Sequence, residues 1–299
     1  MKLVIVGSVA IDDVETPSGR REESIGGSAL HASVAASKFT EVGVVGVVGD
    51  DFPESVCDKL KGIKIDLKGL ERVSGKTFRW KGIYTDLNRA ETIDTQLNVF
   101  ADFSPKLPEK YKSMEILFLG NIHPQLQLDV INQANSPKFV ACDTMNYWIQ
   151  STPELLKEVI KKVHILFINE EEIKSLTGKH NIFDAADEVL ALGTEYVVIK
   201  RGEYGAVAYN NSMMFFAPVY PVRTVFDPTG AGDSFAGGFL GYLAKVGNHS
   251  HDSIKNAMLH GAVVASYNIA SFSFDNMMKT SLSEIDIRVN YLRDAMYVK

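Results

Sequence analysis

Asp227-Pro228-Thr229-Gly230-Ala231-Gly232-Asp233-Ser234 runs directly into Phe235-Ala236-Gly237-Gly238-Phe239-Leu240-Gly241-Tyr242-Leu243. Three small residues ahead of an apolar helix expose successive backbone N–H groups at the positive end of the helix dipole, which makes an anion site. Asp233, in the first turn, is placed to take a proton from a hydroxyl held beside that anion. The N–H groups point where charge develops on a transferring phosphoryl group. An acidic residue in a first turn also stabilises a helix end with no catalytic role. The full eight-residue string is far more specific than an isolated Gly-x-Gly-Asp.

Outward from this helix, short β-branched runs alternate with longer helical patterns, the signature of parallel strands with crossover helices. Leu3 to Val6, Val42 to Val48, Ile116 to Leu119, Phe139 to Cys142, His164 to Ile168 and Tyr196 to Lys200 are nearly all apolar, as strands covered on both faces must be. Pro153 to Val163 carries Leu155, Leu156, Val159, Ile160 and Val163 at helical spacing, and Phe183 to Leu192 repeats the pattern before Gly193. From Gly75 to about Asp102 the helical period disappears, and Thr77 to Thr85 and Ile93 to Phe103 read as strands around Asn88-Arg89. This β excursion is either an edge hairpin without a role or a functional lid. The expected architecture is α/β: a central, mostly parallel sheet flanked by helices, in a single domain over residues 1–299 with a β appendage.

Composition excludes several classes. Among 299 residues, 45% are hydrophobic and 23% charged, so a disordered or collagen-like chain is ruled out. The net charge of −6, with no concentration of Lys and Arg, argues against a nucleic-acid binder. No apolar run approaches the roughly 18 residues of a membrane helix. Met1 to Gly7 runs into Asp12-Asp13 without a small-residue cleavage site and reads as a strand, not a signal peptide. Cys57 and Cys142 form no Cys-x-x-Cys pair, which leaves disulfide and zinc scaffolds without parts and makes the cytoplasm the natural compartment. Gly69 to Thr77 imitates a Walker A loop with five residues between its glycines instead of four, and Gly43, Gly46 and Gly49 do not make Gly-x-Gly-x-x-Gly. Asn210-Asn211-Ser212 and Asn248-His249-Ser250 are chance glycosylation matches.

The string around Asp233 resembles the second signature of the ribokinase or PfkB carbohydrate kinases, Asp-Thr-x-Gly-Ala-Gly-Asp, with Pro228 in the usual Thr place. Gly26-Gly27-Ser28-Ala29-Leu30-His31 resembles the family's first Gly-Gly motif, and Val45 to Asp51 continues the likeness, which covers most of the chain in order. The resemblance implies a ribokinase-like three-layer fold with a lid at about 13–24 and 75–102. It implies Asp233 as catalytic base and Gly230, Ala231 and Gly232 as the anion hole. Asn169-Glu170-Glu171-Glu172 resembles the family's Asn-x-x-Glu, which implies nucleotide contact at Asn169 and Mg²⁺ held through water by Glu172. Three glutamates also open a helix for dipole reasons alone. Lys200 to Gly205 resembles the strand and turn that touch the nucleotide phosphates, with Lys200, Gly202 and Gly205 as contacts; a surface lysine is the other reading of Lys200. His260 matches a position bordering adenine, or is a satisfied core histidine.

On the acceptor side, Asp12 matches the aspartate that binds substrate hydroxyls, and Gly26 and Gly27 allow close backbone approach. His31 stands where the family has Asn and does not offer the same fixed donor and acceptor pair. Asn121 and Asp143 follow strands and could also face substrate. The resemblance further implies a monovalent cation such as K⁺ at Asp227 and Thr229, although Ala270-Ser271-Phe272 departs from the usual Gly-Ala, and a homodimer formed through the lid. The resulting reading is an ATP-dependent kinase, with Mg²⁺, that transfers the γ-phosphoryl group to a hydroxymethyl group of a sugar. A nucleoside kinase of the same family is the alternative, because Phe78, Trp80, Tyr84, Phe100 and Phe103 could stack on a base or simply fill the underside of the lid. A kinase of phosphorylated sugars would recruit Lys76, Arg79, Lys81 and Arg89. A non-catalytic ligand-binding regulator is the reading from another class, against which the intact Gly-Ala-Gly-Asp argues.

Overall fold

The computed structural model describes residues 1–297. Its strands are β1 (Leu3–Val6), β2 (Ala10–Thr16), β3 (Gly19–Gly26), β4 (Val42–Val48), β5 (Ile65–Arg72), β6 (Phe78–Asp86), β7 (Arg89–Gln96), β8 (Ile116–Leu119), β9 (Phe139–Asp143), β10 (Ile165–Asn169), β11 (Tyr196–Lys200), β12 (Ala206–Asn210) and β13 (Met213–Ala217). Nine of them form one sheet in the order β13-β12-β11-β10-β9-β8-β1-β4-β5, parallel from β11 to β5 and antiparallel only at the β11–β12 and β12–β13 pairs.

Alternation of side chains along each strand divides the apolar residues between two layers. Leu3 and Ile5 join Phe118, Phe167 and Phe239 on one face, while Val4 and Val6 join Leu117, Leu119 and Leu166 on the other. Helices Ser28–Ala36, Ala231–Val246 and His251–Asn268 cover the first face, and Pro153–Ile160, Glu170–Thr177 and Ile182–Ala191 the second. The α/β three-layer expectation holds. Strand β5, which the pattern did not single out, absorbs the start of the Walker-like stretch: Gly69 to Arg72 lie in it.

The remaining strands make a second sheet in the order β3-β2-β6-β7, with β2 and β6 parallel and both outer pairs antiparallel. It is wider than residues 13–24 suggested, since β2 begins at Ala10 and β3 ends at Gly26. The strand expected over Ile93 to Phe103 is also corrected. β7 stops at Gln96, Asn98 takes a φ of +49°, and Asn98–Asp102 is a 3-10 turn. Phe100 from that turn stacks between Phe78 and Phe103, so these three aromatics fill the base of the lid instead of facing a ligand. Thr77 fastens the lid to the main sheet: Gly49 N donates to its Oγ1 at 3.0 Å, and its own N–H and hydroxyl donate to Asp51 Oδ1 at 2.7 Å each.

Helix Ala231–Val246 lies close against helix Ser28–Ala36 because its contact positions are glycine. A Cβ on Gly237 would collide with the Ala32 backbone, and one on Gly241 would come within 2.8 Å of Ala36 Cα. Backbone cannot give way as a flexible side chain can. Gly237→Leu is expected to destabilise the fold by about 1–3 kcal/mol or more. Urea unfolding measures this, and an unchanged midpoint would show that the helix pair can separate freely.

Candidate active site

The strand order reverses beside β1, with β4 and β5 on one side and β8 to β13 on the other. Open parallel sheets bind ligands in the crevice left by such a reversal, beyond the carboxyl ends of the strands. Asp143, Asn169 and Lys200 are the last residues of β9, β10 and β11, so three polar side chains share that rim.

Lys200 is not a surface lysine. Its Nζ lies 2.6 Å from Asp143 Oδ2, with the two side chains 19% and 4% exposed. A Cβ on Gly232 would stand 3.1 Å from the same ammonium, which puts the cation beside the N-terminus of helix Ala231–Val246. Burial alone would lower the lysine pKa, but Asp143 and Glu172 outweigh it and hold Lys200 above its ordinary value. Burial pushes Asp233, in the first helical turn, up to about 7, with the negative charge of Asp143 adding and Lys200 opposing. Asp233 is thus poised near neutrality, where a proton acceptor works best.

Gly230 caps this helix in the left-handed region at φ +70°, a conformation that favours glycine. Ala231 N donates to Pro228 O at 3.1 Å and closes the turn, which corrects the expectation that its amide belongs to the anion hole. The next amides, of Gly232 and Asp233, are among the N-terminal N–H groups that a helix leaves without intrahelical partners. The turn is held from below by Asn268, which is fully buried. Asn268 Nδ2 donates to Thr229 O at 2.8 Å, while its Oδ1 accepts Ser234 Oγ at 3.0 Å and pairs with His31 Nδ1 at 3.0 Å. An amide oxygen only accepts, so His31 carries its proton on Nδ1. Burial lowers the His31 pKa and keeps the ring neutral. The ring fills the space where a Cβ on Gly230 would stand, and Nε2 faces Gly26. His31 therefore supports the Gly230 turn, a role that its replacement of Asn did not suggest.

Asp12 is 4% exposed on β2. Burial, then the charges of Asp227, Asp13 and Asp233, hold its carboxyl well above the usual range. A Cβ on Gly26 would fall on the Asp12 carboxylate, and Gly27, at φ +93°, opens helix Ser28–Ala36. Parallel register places Trp80 beside Asp12, on the same face as Gly82 and Tyr84. The Trp80 ring lies over Gly82, and its Nε1 donates to Thr92 Oγ1 at 3.2 Å. Arg79 and Lys81 alternate to the opposite face, and Arg79 pairs with Asp51 and Glu23 there. Lys76, Arg79 and Lys81 line a cavity on that face together with Asp13, Glu23 and Asp94. Asn121 stands at the rim, its Oδ1 accepting Trp148 Nε1 at 2.9 Å.

Asn169 and Glu172 form a capping box: Glu172 N donates to Asn169 Oδ1 at 2.8 Å, and Asn169 N to Glu172 Oε2 at 2.9 Å. Burial raises the Glu172 carboxyl to about 7, against the pull of Lys200. Among the described residues no group of three or more His, Cys, Asp or Glu is arranged for a metal. An amide and a carboxylate supply hard oxygen atoms that fit a water-shelled Mg²⁺ and do not make a full cage. Asp227 Oδ1 accepts Thr229 N at 2.9 Å and its Oδ2 accepts Ser273 N at 3.0 Å. Asp227 thus staples the two loops together.

Gly202 and Gly205 border the short turn after β11, which Arg201 ties to Glu170 at 2.7 Å. His260 takes the place of a core histidine: it is 4% exposed, stacked on Tyr242 at 4.0 Å and edge-on to Phe39 at 5.6 Å. Eight residues along its helix separate it from Asn268, about 12 Å. Sequence reading missed Asn268 altogether, for a single Asn at the end of an apolar helix carries no motif.

A sequence profile described as pfkB family carbohydrate kinase matches residues 1–278. A cytidine kinase of Thermococcus kodakarensis is 33% identical over 80% of this chain and 87% of its own. The crystal structure of a nucleoside kinase of Methanocaldococcus jannaschii superposes with a TM-score of 0.78 at 20% identity, covering 97% of this chain and 99% of the other. An aminoimidazole riboside kinase of Salmonella enterica, solved with its riboside and an ATP analogue, gives 0.74 at 16% identity over 97% and 100%.

The Asp143–Lys200 pair has a consequence for stability. Removing one partner of a buried pair leaves a bare charge and costs about 3–5 kcal/mol, whereas removing both is far milder. Lys200→Met is expected to show the first behaviour and Asp143→Asn combined with Lys200→Met the second, read by denaturant unfolding as a double-mutant cycle. Simple additivity would mean that the two groups are solvated separately.

Proposed function

The chain belongs to the pfkB family of carbohydrate kinases, and from that premise we propose that it transfers the γ-phosphoryl group of ATP to the hydroxymethyl group of a nucleoside. The observation that carries the choice of a nucleoside is the Trp80 ring, which covers Gly82 on the same face of the lid as Asp12. An aromatic ring on the sheet face that carries a carboxylate suits a ligand with a base at one end and sugar hydroxyls at the other. The likeness to a cytidine kinase supports the same reading and makes cytidine the first acceptor to try.

Asp12 binds the acceptor hydroxyls, and Gly26 lets them approach the backbone. Asp233 takes the proton of the attacking hydroxymethyl group as the new P–O bond forms. The amides of Gly232 and Asp233 in the first turn of helix Ala231–Val246, held in place through Gly230, face the phosphoryl oxygens, with Lys200 adding a positive charge beside Gly232. When bound with ATP, Mg²⁺ neutralises phosphate charge, and Asn169 and Glu172 would hold it through water. Gly202 and Gly205 let the turn after β11 approach the nucleotide closely. Two buried free cysteines suit a reducing cytoplasm, and the exposed Ile93 and Leu97 at the lid edge suit a homodimer through the lid.

Turnover of ATP with Mg²⁺ across nucleosides, free sugars and sugar phosphates tests the reading. Asp233→Asn is expected to lower kcat by about 10²–10⁴ while nucleotide binding persists. The base acts only when deprotonated and its carboxyl is raised to about 7, so kcat should fall as pH drops below about 7. An Asp233→Asn chain with undiminished turnover would sink the assignment. Trp80→Ala should raise the KM for a nucleoside by roughly 5- to 150-fold, as expected for losing about 1–3 kcal/mol of base stacking. Equal effects on ribose and cytidine would remove the base from beside Trp80.

A further inference from the structure

The lid sheet touches more than the acceptor side. Thr229 Oγ1 donates to the Tyr84 hydroxyl at 3.2 Å, so β6 bonds directly to the loop that leads into Gly230. At the β2–β3 turn, Thr16 Oγ1 donates to Phe226 O at 2.7 Å and Ser18 Oγ donates to Val225 O, both just upstream of Asp227. The tip of the β6–β7 hairpin crosses to the other nucleotide-side loop. Asn88 Oδ1 occupies the position where a Cβ on Gly202 would stand, and Gly202 has a φ of +54°. That loop continues β11, whose last residue is Lys200.

We propose that Asn88 and Tyr84 are positioning residues that make the lid part of the nucleotide site, so that acceptor and nucleotide each strengthen the binding of the other. The proposal rests on the kinase reading above and goes beyond it. Asp12 and Trp80 lie in register in the same sheet that carries Tyr84 two residues past Gly82 and Asn88 at its tip. A paired sheet moves as a unit. An acceptor held between Asp12 and Trp80 keeps the sheet seated, and the seated sheet fixes the 201–205 and 225–230 loops in the geometry that receives phosphates. A cover for the acceptor alone would need no contact at Gly202. The coupling is reciprocal by linkage: the factor by which acceptor tightens nucleotide is the factor by which nucleotide tightens acceptor.

The test measures binding of a non-hydrolysable ATP analogue, adenylyl imidodiphosphate with Mg²⁺, by calorimetry. It is run alone and with saturating acceptor, cytidine or whichever nucleoside or sugar gives the highest turnover. Wild-type affinity for the analogue should rise about 5- to 150-fold with acceptor, and Asn88→Ala combined with Tyr84→Phe should reduce that factor to less than about 2. Asn88 is exposed on a turn and Tyr84→Phe removes one hydroxyl, so folding is not at stake, and a melting curve checks it. Hydrogen exchange supplies an arm without acceptor: the analogue alone should slow exchange at residues 84–90 in the wild type and not in the double variant. An unchanged coupling factor in the double variant, no coupling in the wild type, or no analogue-dependent protection of the hairpin overturns the proposal. The assay reads binding and not turnover, so its failure is separate from a failure of Asp233 as base.

Discussion

A buried asparagine amide must have its donors and acceptors met, and Asn268 meets them by holding three segments that are remote in sequence. Its carbonyl serves His31 and Ser234 and its amine serves Thr229, which ties helix Ser28–Ala36, the Gly230 turn and helix His251–Asn268 into one rigid node. Leaving such a group unpaired in the interior costs about 1–3 kcal/mol. The node therefore admits one arrangement, and the first turn that carries Asp233 inherits it. The glycines at 237 and 241 let helix Ala231–Val246 come near enough to helix Ser28–Ala36 for the node to close.

Around that fixed turn the chain gathers charge where charge is expensive. Asp143, Glu172 and Asp233 share one lysine, and burial lifts two of these carboxyls to about 7. In the raised-pKa state the protonated form is the stable one, so Asp233 contributes stability below the unfolded carboxylate pKa that is lost as pH rises through about 7. The fold is thus stabilised least in the pH range where Asp233 is deprotonated. Lys200, with Asp143 at 2.6 Å, is a cation already held in place in a site of low exposure.

The strands were legible because a parallel strand covered on both faces must be apolar, as β1, β4 and β8 are throughout and β9, β10 and β11 are up to their last, polar residue. The lid was legible only in outline. Its strands are half-polar and end by tertiary contact: β7 gives way to a 3-10 turn because Phe100 finds Phe78 and Phe103, a pairing no local window contains. Glu172 shows that two readings can hold together, since the capping box that explains it locally also sets its carboxylate near Lys200. His260 matched a motif position and is a core residue, because Tyr242 and Phe39 close over it from other elements.

By itself the sequence determined the layer order, the helix that begins after Gly230, and the presence of Asp233 in its first turn. Each depends on the period of apolar residues or on a contiguous string, and such signals are local. Tertiary structure alone decided that Lys200 faces Asp143 and not solvent, that His31 props the turn, that Asp227 staples two loops, and that the lid reaches Gly202. These outcomes join residues up to 237 positions apart, as His31 and Asn268 are. Burial and partner choice fix what a polar side chain does, and both are properties of the packed chain.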